Sequence, residues 1–153
     1  MKVLSRNNLI GVESHDQFTE LRKSVSEIDK NKIFEELFPI AIDYNGDGAD
    51  AIASSLIISF DPVCNKTCEE LLSEISNSKY NLSNREIPFY LVTQFGKHNL
   101  LKSIDGILNT GTLNEEQKTL VEGIKYWASF PPADSTANFH YWEWQEVIEG
   151  NNA

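Results

Sequence analysis

Apolar residues return along this chain at steps of three and four, in one segment after another. Phe18, Leu21, Val25 and Ile28 lie on one helical stripe, with Glu20, Arg22, Lys23 and Glu27 on the other faces. Ile33, Phe34, Leu37, Phe38 and Ala41 repeat the pattern, as do Ala49, Ile52, Ala53, Leu56 and Phe60, then Cys68, Leu71, Leu72 and Ile75. Leu120, Val121, Ile124, Trp127 and Ala128 close the series. Polar punctuation falls where helices start and stop. Ser14 with Gln17, Thr67 with Glu70, Ser83 with Glu86, and Asn114 with Gln117 have the spacing of capping boxes, Asn65 is the alternative cap to Thr67, and Pro62 and the Pro131-Pro132 pair are stops.

The centre of the pattern is residues 83–108, read as two helices joined by a tight turn at Gly96. Phe89, Tyr90, Leu91, Val92 and Phe95 make the first helix apolar nearly all round, whereas Leu100, Leu101, Ile104, Ile107 and Leu108 give the second a single greasy face. A buried helix backed by a one-sided one is the arrangement of a stacked hairpin. Two short runs also suit a buried strand, residues 87–92 and residues 38–42, the latter because Pro39 interrupts the helical hydrogen-bond ladder. Residues 3–12 have no clear period and read as a lead-in or an edge extension. The expected fold is all-α, one domain over residues 1–153, with about seven helices in stacked antiparallel hairpins. The pairs 33–43 with 49–60 and 84–96 with 98–109 look like degenerate HEAT or armadillo units, without a repeat of fixed period. The alternative is an α+β fold.

Charge narrows the partners. The chain has 153 residues, with 13 basic against 23 acidic side chains, a net −10. That balance disfavours nucleic acid and anionic membranes and suits a basic protein partner or plain solubility. Cys64 and Cys68 stand four apart on an expected helix without a second Cys or His pair at ligand spacing, so they read as reduced thiols rather than a metal half-site. No apolar run has the length of a signal or a membrane span, and a cytoplasmic location is expected.

The sharpest local motif is Asp43-x-Asn45-x-Asp47-Gly48, the opening of a calcium loop. Its ninth position is Ala51 and its twelfth is Ser54, so two ligands are missing, and a polar turn capping the next helix explains the same residues. No metal and no cofactor are expected. His15, His98 and His140 are dispersed, and adjacent acidic pairs such as Glu35-Glu36 and Glu115-Glu116 point about 100° apart on a helix, so no catalytic residue is assigned. A small enzyme would need such scattered groups to converge in a pocket. Near the end, Phe139, Tyr141, Trp142 and Trp144 crowd four aromatics into six residues. They suit either a cap over the core or a binding surface.

With Phe34-Glu35-Glu36-Leu37-Phe38-Pro39-Ile40-Ala41-Ile42-Asp43, Ala53-Ser54-Ser55-Leu56-Ile57-Ile58-Ser59-Phe60 and Ile87-Pro88-Phe89-Tyr90-Leu91, the chain resembles immunity proteins of bacterial polymorphic-toxin and contact-dependent growth inhibition systems, in their helical, HEAT-like form. The resemblance covers residues 30–128 loosely. A weaker likeness is to the SMI1/KNR4 superfamily, an α+β fold, through Phe38-Pro39-Ile40-Ala41 and Asp47-Gly48. There the expected aromatic-and-glycine pattern is replaced by Ala49-Asp50-Ala51-Ile52-Ala53. The resemblance implies a protein that binds and neutralises a cognate toxin domain, often a basic nuclease. On that expectation Asp43, Asp47 and Asp50 with Glu143, Glu146 and Glu149 steer the partner, and Tyr44, Tyr141 and Trp144 anchor it. A helical adaptor binding an apolar peptide is the competing expectation.

Overall fold

The computed structural model describes residues 4–129. Among them the chain is all-α, with eight helices: α1 (Arg6–Ile10), α2 (His15–Ser26), α3 (Lys30–Ala41), α4 (Ala49–Phe60), α5 (Cys68–Ser76), α6 (Glu86–Phe95), α7 (Lys97–Asn109) and α8 (Glu115–Ala128). Helix α4 packs on α1, α3 and α6, while α8 lies against α5, α6 and α7, so α6 is the element common to both halves. The two expected neighbour pairs, α3 with α4 and α6 with α7, do pack together.

Burial follows the hydrophobic pattern closely. Six successive residues of α6, Ile87, Pro88, Phe89, Tyr90, Leu91 and Val92, are buried, which requires protein on every side of that helix. Helix α7 buries only Leu100 and Ile104, with Leu101, Ile107 and Leu108 half covered. The Tyr90 ring stacks on Phe34 at 6.0 Å, and Phe34 stacks on Phe38 at 5.1 Å. Its buried hydroxyl donates to the Pro62 carbonyl at 2.6 Å, so the proline that stops α4 also supplies a partner to the core. Gly96, at φ +83°, ends α6 and precedes α7 directly, a backbone conformation that costs a side-chain-bearing residue more than glycine.

Helix starts are set by local hydrogen bonds. The boxes Thr67 with Glu70 and Asn114 with Gln117 form in both directions, whereas Ser14 receives the Gln17 N–H and the Gln17 side chain instead receives the Glu13 N–H. The Ser83–Glu86 box does not form. Asn81 draws the Ser83 and Asn84 N–H groups into a turn, and Asn84 Oδ1 takes the Ile87 N–H at 3.1 Å in its place. Asn84 is buried, and its amide also donates to Ser54 Oγ at 2.6 Å, while the Tyr80 hydroxyl donates to the Asn84 carbonyl.

Other expectations are corrected. Residues 38–42 and 87–92 are not strands: α3 runs on two residues past Pro39, whose missing N–H forgoes one ladder bond, to the Glu35 carbonyl, and no strand occurs among the described residues. The α+β alternative is therefore not met there, and the sole trace of sheet pairing is an isolated parallel bridge between Asp43 and Lys79. The lead-in contains helix α1. Cys64 precedes α5 rather than sharing it with Cys68, because its N–H is held by Gln94 Oε1 at 3.1 Å. Both thiols are free, and burial is the main influence raising the pKa of each. Among the described residues no helix is long and apolar enough to cross a membrane.

Candidate functional site

The 43–48 loop joins α3 to α4, and two glycines let it turn. Gly46 and Gly48 have φ of +84° and +83°, in the left-handed region open to glycine at little cost. Asn45 Oδ1 receives the Asp47 N–H at 3.3 Å, and Asp47 Oδ1 receives the Ala49 N–H at 3.0 Å, at the first residue of α4. The polar turn expected from the sequence is thus in place.

A residue without an assigned role in the sequence completes it. Arg6, from α1, directs its guanidinium into the loop: Nη1 donates to Asn45 Oδ1 at 3.1 Å and to Asp47 Oδ1 and Oδ2 at 2.8 and 2.7 Å. Nη2 donates to the Asp43 carbonyl at 2.7 Å and to Asp43 Oδ2 at 3.0 Å. One planar fork therefore holds two carboxylates, an amide and a carbonyl, a geometry that an ammonium cannot reproduce. The Ala49 N–H, followed by the Arg6 guanidinium, lowers the Asp47 pKa against an opposing push from desolvation. On the far side the loop is pinned again, by the Tyr44 N–H donating to the Lys79 carbonyl at 3.1 Å.

Between those two pins the Tyr44 side chain is 48% exposed, an aromatic held out by fixed backbone. Asp43 remains half exposed beside it. Asp50, expected to face a partner, is instead 3% exposed in the first turn of α4, and burial raises its pKa. Of the remaining expected site residues, Tyr141, Glu143, Trp144, Glu146 and Glu149 lie outside the described residues, as do His140 and the aromatic cluster around it. The structure therefore brings together Asp43, Tyr44 and Asp47 and adds Arg6. The available signal for Arg6 was a lone basic residue in a segment without period, which names no partner 37 to 41 positions away.

Besides a cleft of about 490 Å³ beside Arg6, with Leu4, Glu35, Glu36 and Ile40 in its wall, two larger surface clefts lie among the described residues. One, of about 740 Å³, runs between α5 and α7 and includes Cys68, Glu69, Phe95, Ser103 and Ile107 in its wall, with Ser103 Oγ donating to Glu69 Oε1 at 2.9 Å. The other, of about 530 Å³, lies between the ends of α3 and α5, with Phe38, Ile42, Glu74 and Lys79, and Asp43 on its edge. Neither contains a histidine beside a nucleophile, and Cys68 is held toward its thiol form by burial. Among the described residues no group of three His, Cys, Asp or Glu side chains is placed to hold a metal ion. No family model, curated protein or solved structure matches the chain.

Proposed function

We propose that this chain is a binding protein that neutralises a cognate bacterial toxin domain of basic charge, acting in the cytoplasm without cofactor or catalysis of its own. The observation that carries the reading is the half-exposed Tyr44 ring on a loop fixed from both sides, next to the Asp43 carboxylate. A backbone already fixed has little conformational freedom left to lose on binding, and aromatic anchors dominate the energetics of protein interfaces. The net charge of −10 supports the choice of a basic partner, whose approach it accelerates. The resemblance to helical immunity proteins gives the partner class.

A second reading, a helical adaptor taking an apolar peptide, has the α5–α7 cleft in its favour. Salt separates the two, since steering by exposed charge is screened while apolar docking is not. The test is co-purification from the source strain with this chain as tagged bait at low and high salt, partners identified by mass. The identified partner is then titrated against wild type and Tyr44→Ala. Recovery of one basic toxin domain, weakened by salt and bound at least about tenfold less tightly by the variant, is the expected result. A partner held equally by both proteins removes Tyr44 from the interface, and salt-independent retention of a peptide-bearing partner favours the adaptor.

A further inference from the structure

We propose that Asn45 is a site of self-modification, where the backbone nitrogen of Gly46 displaces the side-chain amide and turns the residue into aspartate or isoaspartate in the folded chain. Of the asparagines in the sequence, Asn45 alone is followed by glycine, the one neighbour without a Cβ to crowd a ring closing between the Asn45 side chain and the backbone. Both residues are exposed, and no acceptor for the Gly46 N–H occurs among the described residues, so the attacking nitrogen is not tied up in a backbone bond. Asn45 Oδ1 receives Arg6 Nη1 at 3.1 Å and the Asp47 N–H at 3.3 Å, two donors on the oxygen where negative charge gathers as Cγ becomes tetrahedral. The amide nitrogen of the same side chain, the group that must leave, has no acceptor among the described residues.

The reaction consumes only water. The Gly46 nitrogen gives its proton to solvent base and bonds to Asn45 Cγ, the Cγ–Nδ2 bond breaks, and Nδ2 leaves as ammonia with a proton from solvent. Water then opens the resulting imide, either at Cγ, which leaves aspartate, or at the main-chain carbonyl, which leaves isoaspartate and routes the backbone through an extra CH2. The first product sets a third carboxylate beside Asp43 and Asp47 on the Arg6 fork, and the second lengthens the backbone next to the exposed Tyr44. Asn77 shows the opposite arrangement. Its amide donates to the Ser73 carbonyl at 2.9 Å, its Oδ1 receives Gln117 Nε2 at 2.9 Å, and the following N–H, of Ser78, donates to the Ile75 carbonyl at 3.1 Å, so leaving group and nucleophile are both held. Asp47, also followed by glycine, has no amide to expel, and ring closure there would leave the mass unchanged.

The experiment incubates the full chain, folded and in guanidinium chloride, at mildly alkaline pH and follows tryptic peptides by mass over time, each read against a digest made at the start. Residues 33–66 form one such peptide, in which fragmentation separates Asn45 from Asn65. In the folded chain the mass gain of amide-to-acid exchange should appear at residue 45 before any other described asparagine, Asn77 included, and should be lost in Asn45→Gln, whose longer side chain closes a larger ring more slowly. An Asn45 that stays intact in the folded chain overturns the proposal, conversion in the denatured chain then showing that the loop protects it. Conversion led by Asn77 or another described asparagine overturns it as well. The readout is on the free chain, so its failure and the failure of Tyr44 as a partner anchor are separately visible.

Discussion

Helix α6 and the 43–48 loop hold their places by opposite means. In α6, six consecutive side chains are buried and the helix is gripped from all sides by apolar contact, while in the loop the fixing forces are directional bonds to Arg6, Lys79 and the start of α4. Apolar contact is non-directional and tolerates sliding until many side chains interlock, so α6 supplies stability. Directional bonds between partly exposed groups add little net stability but set where a backbone runs, so the loop supplies position.

The contrast can be broken most sharply in α6. Leu91→Ala removes a fully buried side chain from the helix common to both halves and should lower stability by about 3 kcal/mol in urea or thermal unfolding. A loss below about 1 kcal/mol would mean that α6 is not the centre of the core. Between the two regimes lies Asn84, which is buried like α6 but bonded like the loop. Asn84→Ala leaves the Ile87 N–H without its acceptor and Ser54 Oγ without a donor, and should cost about 2 kcal/mol. Asn84→Asp should not restore it, because a carboxylate cannot donate to Ser54 Oγ.

The smallest effect is expected in the loop and depends on pH. Asp47 titrates lower in the folded chain than its ordinary value, so the stabilisation it gives is complete above the usual carboxylate range near 4 and is lost as pH falls through the lower, folded value. Protection of the Ala49 amide against hydrogen exchange, taken relative to the intrinsic rate at each pH, should fall in that acid window in wild type and stay independent of pH in Asp47→Asn. Protection that stays constant through the window in wild type would show that the ionised carboxylate does not hold the turn.

The same contrast explains what could be read from residues alone. The core was legible because its rule is local: Phe18 and Val25, Leu71 and Ile75, or Val121 and Ile124 repeat within one helix, and each ends buried. The run at 87–92 was ambiguous with strand for the reason that makes α6 central, since a helix buried on all faces loses its period. Arg6 was illegible because its partners lie 37 to 41 residues away and no periodicity spans a loop. Ser83 misled because Asn81, two residues earlier, offers a competing turn that pulls the Ser83 N–H to its own side chain. Asp50 misled because the third acid of a polar run looks like its neighbours in sequence, whereas its place in the first turn of α4 puts it under cover.

The tie from Arg6 to residues 43 and 47 also fixes an order of events during synthesis. Arg6 leaves the ribosome well before its acceptors, and at about 5–20 residues per second the interval is roughly 2–8 s. Through that interval α1, only five residues long, is too short to persist as an isolated helix. The first helix of the chain is therefore among the later ones to settle, once α3 and α4 have closed the loop that receives it.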